Sequence, residues 1–356
     1  MYSLVSLGWS DFFAEGFVPF GAQGCFPARV AIQQRGHYLL YAEDGEWRAE
    51  VAGKIHYTAR GMEDFPVVGD WVAVRKSGSP GNGVITGILR RKTEFARKAA
   101  GFRTNKQVLS ANIDRVFLVA SCDEEFNTKR LERYLVLART SGAEPIIVLN
   151  KADLAGQPAD FLEEARGIAG ESTVLLASAK QSHGLEDFRR CLNEGITGAL
   201  LGSSGVGKST IINTLLGVEK LRTGDVRDYD GKGRHTTTRR ELVLIPSGGL
   251  LIDTPGLREL QLWEADAGVQ ATFDDIEDIA LGCRFTDCRH ETEPGCAVRK
   301  ALDEELLDQG RMESYRKMQR ELAHATRKAS RPASLAEKKR IKKITADQKR
   351  GYKRKS

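Results

Sequence analysis

The chain has 356 residues, of which 41% are hydrophobic and 29% are charged, a composition typical of a folded protein with two or three domains. It has no run of about 18 apolar residues, so the sequence predicts no membrane-spanning helix. The first 20 residues lack a basic stretch followed by an apolar one, which argues against export. Six cysteines, three of them near one histidine, do not suggest a disulfide framework. These features predict a cytoplasmic protein.

The net charge of +6 is unevenly distributed along the chain. The segment from Arg311 to Ser356 holds 17 lysines and arginines against four acidic residues, so the rest of the chain is mildly acidic. The basic C-terminal tail, residues 326–356, favours an anionic partner. A solvated charged extension without a partner is the alternative.

Residues 28–105 predict a small β-barrel, preceded by an N-terminal extension, residues 1–27. Five short strands in about 80 residues favour a Greek-key barrel of the OB type. The predicted strands, which are separated by turn signals, are Ala28–Gln33, Tyr38–Ala42, Glu46–Gly53, Trp71–Arg75 and Gly83–Leu89. A basic connector, Arg90–Lys106, follows the barrel, and an OB barrel beside basic residues is typical of RNA binding. The candidate RNA contacts are Arg90, Arg91, Lys92, Arg97 and Lys98.

Residues 106–262 predict a doubly wound α/β domain, because apolar strand-like runs alternate with helical stretches. The predicted strands are Arg115–Ser121, Pro145–Leu149, Thr173–Ala177 and Ala199–Leu201, followed by a hairpin of Glu241–Ile245 and Gly249–Asp253. The predicted helices are Thr128–Ser141, Pro158–Ala169 and Leu185–Asn193. Residues 263–325 have a mainly helical pattern that is interrupted by a Cys/His cluster.

A phosphate-binding loop follows the predicted strand that ends at Leu201. It matches the pattern G-x-x-x-x-G-K-S and consists of Gly202, Ser203, Ser204, Gly205, Val206, Gly207, Lys208, Ser209 and Thr210. Backbone N–H groups of such a loop surround a phosphate, while Lys208 supplies positive charge and Ser209 offers a hydroxyl to Mg²⁺. Asp253 is a second candidate for Mg²⁺, and the Gly256 N–H is expected near the γ-phosphate. The third candidate ligand for Mg²⁺ is a threonine. The sequence does not decide between Thr236, Thr237 and Thr238.

Two further motifs predict that the bound base is guanine. They are Asn150-Lys151-Ala152-Asp153 and Ser178-Ala179-Lys180, each at the end of a predicted strand. The Asp153 carboxylate would accept two hydrogen bonds from the N1–H and 2-amino groups of guanine, a donor pair that adenine lacks. Asn150 would tie this loop to the phosphate loop, Lys151 would lie over the base, and the Ala179 N–H would meet guanine O6.

The guanine motifs come before the phosphate loop, whereas Ras-like GTPases have the reverse order. Circular permutation produces the same site, because domain termini often lie close together. Leu257 stands where Ras-like GTPases carry a water-orienting glutamine, so we predict slow hydrolysis by the free protein. His235 is the candidate for positioning the water, and a surface histidine without that role is the alternative.

Four residues near the C-terminus have the spacing of a metal site. The pattern Cys283-x4-Cys288-x-His290-x5-Cys296 offers three thiolates and one imidazole. A complete set of four such ligands predicts one structural, tetrahedral Zn²⁺, with unrelated buried cysteines as the alternative. The isolated cysteines are predicted to be core thiols and are Cys25, Cys122 and Cys191.

Together the predicted barrel, the permuted motif order and the Cys/His spacing resemble the RsgA family of circularly permuted GTPases. The resemblance spans residues 28–325 and rests on Pro66–Asp70, Asn150–Asp153, Gly202–Thr210, Gly233–Thr238, Asp253–Gly256 and Glu293–Cys296. It implies binding to the small ribosomal subunit and its rRNA, a role in late maturation, ribosome-stimulated hydrolysis and a contribution from His235. We expect a monomer. The alternative function is a GTP-dependent regulator or metal-delivery factor that acts on protein partners without RNA.

Overall fold

The predicted five-stranded barrel is present and closed. The computed structural model describes residues 1–34, 36–98, 106–218, 240–253 and 265–326. The barrel strands are β1 (Phe26–Gln33), β2 (Tyr38–Ala42), β3 (Gly45–Val51), β4 (Trp71–Lys76) and β5 (Asn82–Ile88). Their order is β1-β2-β3-β5-β4, and β4 returns to pair with β1. Strands β3 and β5 are parallel, and the other neighbours are antiparallel.

The residues before the barrel form helix α1 (Asp11–Gly21), which the sequence analysis did not predict. Phe13 is 2% exposed, and its ring centroid lies 5.8 Å from that of Trp71 in the barrel. Leu7 is fully buried, and its carbonyl accepts a hydrogen bond from Arg29 of β1. The N-terminal segment therefore packs against the barrel, in a hydrophobic cluster that the barrel shares with residues 109–201 and beyond. A second short helix, α2 (Gly53–Thr58), follows β3.

Part of the basic connector is a β-hairpin, which the sequence analysis missed. Strand β6 (Glu94–Lys98) pairs antiparallel with β7 (Lys106–Ala111). Phe95 of β6 and Val108 of β7 are buried. The hairpin thus has apolar contacts beneath its charged surface.

The predicted α/β domain is confirmed. Its strands are β8 (Arg115–Ser121), β9 (Glu144–Asn150), β10 (Thr173–Leu176), β11 (Thr197–Gly202), β12 (Glu241–Leu244) and β13 (Leu250–Asp253). Its helices are α3 (Thr128–Ser141), α4 (Pro158–Ala169), α5 (Leu185–Cys191) and α6 (Lys208–Leu216). The strand order is β10-β9-β8-β11-β13-β12, in which β12 is antiparallel to β13 and the other neighbours are parallel.

The barrel and the α/β domain share one continuous 11-stranded sheet, because β12 lies between β13 and β1. Ile32 of β1 is opposite Glu241 of β12. At this junction the buried Arg29 donates hydrogen bonds to the carbonyls of Gly69 and Asn112, at 3.3 and 2.9 Å. The junction is therefore held by main-chain pairing and by a buried guanidinium.

The C-terminal region is helical, as predicted. It contains α7 (Asp266–Thr272), α8 (Asp274–Ala280), α9 (Ala297–Asp303) and a helix formed by residues 309–326. Arg311 joins this region to α3, since its guanidinium lies 3.0 Å from the Glu132 carboxylate and 2.7 Å from that of Asp275. Among all the described residues, no helix is long and apolar enough to cross a membrane.

Candidate nucleotide site and metal centre

The predicted nucleotide motifs converge at one edge of the sheet. Strands β9, β8 and β11 are parallel neighbours, with Ser121 opposite Asn150 and Val119 opposite Gly202. Strand β10 continues the series on the far side of β9. Because the carboxyl ends of parallel strands share an edge, the phosphate loop and both guanine motifs meet there.

The phosphate loop connects the end of β11 to the first turn of α6. Gly205 and Gly207 have φ values of +79° and +94°, a left-handed region that favours glycine. A Cβ atom on Gly207 would collide with the Asn150 amide. The Lys208 ammonium group donates hydrogen bonds to the carbonyls of Gly202, at 2.9 Å, and Ser203. The backbone N–H groups of the loop thus lie at a helix N-terminus, an arrangement that suits an anion.

The expected link between the loops is made by the side chain of Asn150, which is 2% exposed. Its amide nitrogen donates to the Val206 carbonyl at 2.8 Å. Its amide oxygen accepts from the Ala179 N–H at 3.0 Å. The Ala179 N–H, predicted to meet guanine O6, is therefore engaged with Asn150 in this structure. One side chain joins the phosphate loop to both guanine motifs.

The two guanine motifs also contact each other. The Ser178 hydroxyl donates to an Asp153 carboxylate oxygen at 2.6 Å. Lys151 has a left-handed backbone, with φ +62°, and its ammonium lies 3.1 Å from Asp123, a residue that the sequence analysis missed. The Asp153 side chain stands at the exposed rim of the sheet edge.

The candidate Mg²⁺ residues are described only in part. Ser209 lies in the first turn of α6, and Asp253 ends β13. The remaining candidates for Mg²⁺ and for catalysis lie outside the described residues. They are His235, Thr236, Thr237, Thr238 and Gly256. Leu257 also lies outside the described residues.

The predicted Cys/His cluster is assembled between α8 and α9. The cluster consists of Cys283, Cys288, His290 and Cys296. Each residue offers one ligand atom, and these four atoms all lie within 4.8 Å of one another. The His290 Nδ1 atom is 3.5 Å from the sulfur atoms of both Cys283 and Cys296, which are 3.9 Å apart. Burial alone would raise the pKa of the Cys283 thiol, but the backbone N–H groups of Val298 and Ala297, together with hydrogen bonds to the Cys296 and Cys288 side chains, outweigh burial and lower it. The cluster is a metal-binding site.

Glu293 organises the loop between His290 and Cys296, a role that the sequence analysis did not identify. Its carboxylate accepts hydrogen bonds from the backbone N–H groups of Arg289, Glu291 and Thr292, at 3.1, 2.9 and 3.1 Å. The backbone N–H of Glu293 itself, followed by those of Glu291, Arg289 and Thr292, lowers the pKa of this carboxyl to about 2, so the carboxylate is ionised at neutral pH. The sequence did contain a signal for this role. Glu293, whose carboxylate can accept hydrogen bonds, lies three residues after the ligand His290 and directly before Pro294-Gly295.

One candidate RNA contact, Arg91, is partly buried and forms an ion pair within the barrel region. Arg91 is 14% exposed, and its guanidinium forms two hydrogen bonds of 2.9 and 2.8 Å with the buried Asp70 carboxylate. The Arg91 guanidinium is therefore already engaged in an ion pair within the protein. Arg90 and Lys92 are exposed and lie 5.8 and 5.5 Å from the centre of the Phe12 ring.

Comparisons with known proteins agree with this arrangement. The family model for RsgA GTPase matches residues 88–263, and a model for 50S ribosome-binding GTPase matches residues 197–336. The small ribosomal subunit biogenesis GTPase RsgA of Opitutus terrae is 46% identical over 351 residues, which cover 96% of both chains. The chain belongs to the RsgA family of GTPases. It is therefore an enzyme that hydrolyses GTP.

Other relatives give the same result. The small ribosomal subunit biogenesis GTPase RsgA 1 of Oceanobacillus iheyensis is 44% identical, covering 91% of this chain and 92% of the relative. The crystal structure of YjeQ from Thermotoga maritima has a TM-score of 0.64 at 26% identity, covering 84% of this chain and 99% of that one. The structure of YloQ, described as a circularly permuted GTPase, has a TM-score of 0.62 at 25% identity, covering 84% and 96%. The permuted order of the motifs in this RsgA family member is thus confirmed.

Proposed function

We propose that this protein acts in the cytoplasm on the small ribosomal subunit, binding its rRNA and assisting late maturation as a GTPase that the subunit stimulates. The observation that supports this most strongly is the 46% identity, over 96% of the chain, to a relative named for small-subunit biogenesis. The convergence of three nucleotide motifs at one sheet edge supports the enzymatic part of the proposal.

In the nucleotide site, Asp153 would accept the guanine donors and Lys151 would lie over the base. Ser178, held against Asp153 at 2.6 Å, would fix the direction of that carboxylate. Lys180 would complete the second guanine loop. The phosphate loop would surround the phosphates with backbone N–H groups, as the N-terminus of α6 favours negative charge.

Lys208 would release its two loop carbonyls and turn towards the outer phosphates when GTP binds. Ser209, Asp253 and one of the three threonines would hold Mg²⁺, which neutralises phosphate charge when bound. The Gly256 N–H would lie at the γ-phosphate, and His235 would orient the attacking water. No glutamine follows Gly256, since Leu257 occupies that position, so the subunit would complete this step.

The Cys/His cluster fits one structural Zn²⁺. In a tetrahedral site with Zn–S near 2.3 Å and Zn–N near 2.05 Å, neighbouring sulfurs are roughly 3.8 Å apart and a sulfur and a nitrogen roughly 3.6 Å apart. The observed distances are 3.9 Å between the Cys283 and Cys296 sulfurs and 3.5 Å from each to His290 Nδ1. All four positions are filled by protein, so the ion would hold α8 to α9 and would take no part in hydrolysis.

The proposed RNA surface consists of the basic residues near the barrel together with the basic tail, residues 326–356. The candidates are Arg90, Arg91, Lys92, Arg97 and Lys98. Contacts between such residues and phosphates release counterions, so binding weakens as salt rises.

The decisive measurement is GTP turnover by the full chain alone, with purified small subunits and with purified large subunits, at two salt concentrations. We expect stimulation by small subunits that is lost at high salt, and no comparable stimulation by large subunits. An unchanged rate with small subunits would refute the proposal. If protein partners but not RNA then stimulated turnover, the alternative regulator or metal-delivery function would replace it.

A further inference from the structure

The segment that follows β8 lies between the two halves of the nucleotide site. Strand β8 is flanked by β9, which leads to the guanine motif, and by β11, which leads to the phosphate loop. The chain leaving β8 at Ser121 must therefore pass between these loops before α3 begins at Thr128. None of the nucleotide motifs lies in this segment.

Within this segment Asp123 is fixed by three hydrogen bonds. One carboxylate oxygen accepts from the Ser121 hydroxyl at 2.6 Å and from the Glu125 backbone N–H at 3.1 Å. The other lies 3.1 Å from the Lys151 ammonium. Partial burial alone would raise the pKa of Asp123, but these hydrogen bonds outweigh it and lower that pKa. The carboxylate is therefore ionised and directed at Lys151.

The same segment is anchored to the phosphate loop. The Arg130 guanidinium donates to the Ser203 hydroxyl at 2.6 Å and to the Glu125 carbonyl at 3.0 Å. Glu125 thus binds Asp123 through its N–H and Arg130 through its carbonyl. Asp123 is held at a fixed place relative to both loops.

We propose that Asp123 is a positioning residue for the nucleotide, which holds the Lys151 side chain in the direction needed to cover the guanine base. A lysine side chain has four rotatable carbon–carbon bonds, and ordering it on binding costs free energy. The pair orders the side chain before the nucleotide arrives, which lowers that cost. The inference rests on the proposed role of Lys151 in base binding.

The expected effect is moderate, because the Asp123 and Lys151 side chains are 30% and 31% exposed and solvent screens their attraction. Asp123→Asn should raise the dissociation constants of GDP and of a non-hydrolysable GTP analogue by the same factor, about fivefold, which corresponds to about 1 kcal/mol. The two nucleotides share the base, so the factor should not depend on the γ-phosphate.

A double-mutant cycle tests this proposal, with both dissociation constants measured by calorimetry and the melting temperature recorded for each variant. In the Lys151→Ala background, Asp123→Asn should change affinity by less than twofold. Glu125→Gln is the matched control. Like Asp123→Asn it removes one negative charge from the segment, but at an exposed position, and it keeps the Glu125 backbone contacts. It should leave affinity unchanged.

Three outcomes would overturn the proposal. The first is a fivefold loss of nucleotide affinity from Asp123→Asn that persists in the Lys151→Ala background. The second is an equal loss of affinity from Glu125→Gln. The third is unchanged affinity in a folded Asp123→Asn protein. Failure of the proposed nucleotide site itself would appear differently, as absence of guanine nucleotide binding by the unsubstituted chain.

Discussion

Replacing Asn150 by alanine tests whether one buried amide holds the nucleotide site together. The side chain joins the Val206 carbonyl, at 2.8 Å, to the Ala179 N–H, at 3.0 Å. Each such hydrogen bond contributes about 0.5–1.5 kcal/mol, and the partner left behind in a buried place adds to the loss. At about 1.4 kcal/mol per tenfold change, the loss of about 1–3 kcal/mol corresponds to a five- to 150-fold weaker affinity.

The assay is calorimetric titration of Asn150→Ala with GDP and with a non-hydrolysable GTP analogue. Both dissociation constants should rise by the same factor, because Asn150 contacts the loops and is not a predicted γ-phosphate group. Asn193→Ala is the control, since Asn193 is exposed and precedes β11 at the opposite end of that strand. Melting temperatures of both variants show whether the fold is retained.

If both dissociation constants changed by less than twofold in a folded Asn150→Ala protein, the reasoning that this side chain holds the loops in their binding positions would be refuted. A loss for the GTP analogue alone would assign Asn150 to the γ-phosphate and would contradict its placement here.

The remaining predictions concern the base, the water and the metal. Asp153→Asn should shift preference from GTP to xanthosine triphosphate, measured by competition, because the new amide donates to a carbonyl at base position 2; retained GTP preference would contradict the guanine assignment. His235→Ala should slow subunit-stimulated hydrolysis and spare GTP affinity, and an unaltered rate would place the water-orienting group in the RNA or a partner. Glu293→Gln should speed zinc loss to a chelator about tenfold, whereas Glu291→Gln, which substitutes an exposed carboxylate in the same loop, should not; equal rates would leave Glu293 without this role.

Apolar patterning was sufficient to predict the buried parallel strands. Arg115–Ser121 is a run of this kind, and its predicted bounds agree with β8. The hairpin of β6 and β7 was missed because β6 carries a single large apolar residue, the buried Phe95, among the charged Glu94, Arg97 and Lys98. Helix α1 was missed for another reason, since its stability depends on packing Phe13 against Trp71, a contact between distant parts of the chain.

The site was predictable where a motif fixes the chemistry at a short spacing, as in the Cys/His cluster. Residues whose role depends on the geometry of the folded backbone were not predictable from the sequence. Glu293 is identified by three N–H groups that converge only when the loop has folded. The ion pair of Arg91 with the buried Asp70 was not predictable, because a basic stretch does not reveal which of its members pairs with a buried acid.

The pairing of β12 with barrel strand β1 has a consequence for any attempt to isolate the GTPase domain. If the barrel were deleted, the outer edge of Glu241–Leu244 would lose its covering strand at the Ile32 position. An uncovered strand edge offers unpaired N–H and carbonyl groups to other chains and promotes aggregation. We therefore expect a GTPase domain isolated without the barrel to self-associate more readily than the full chain.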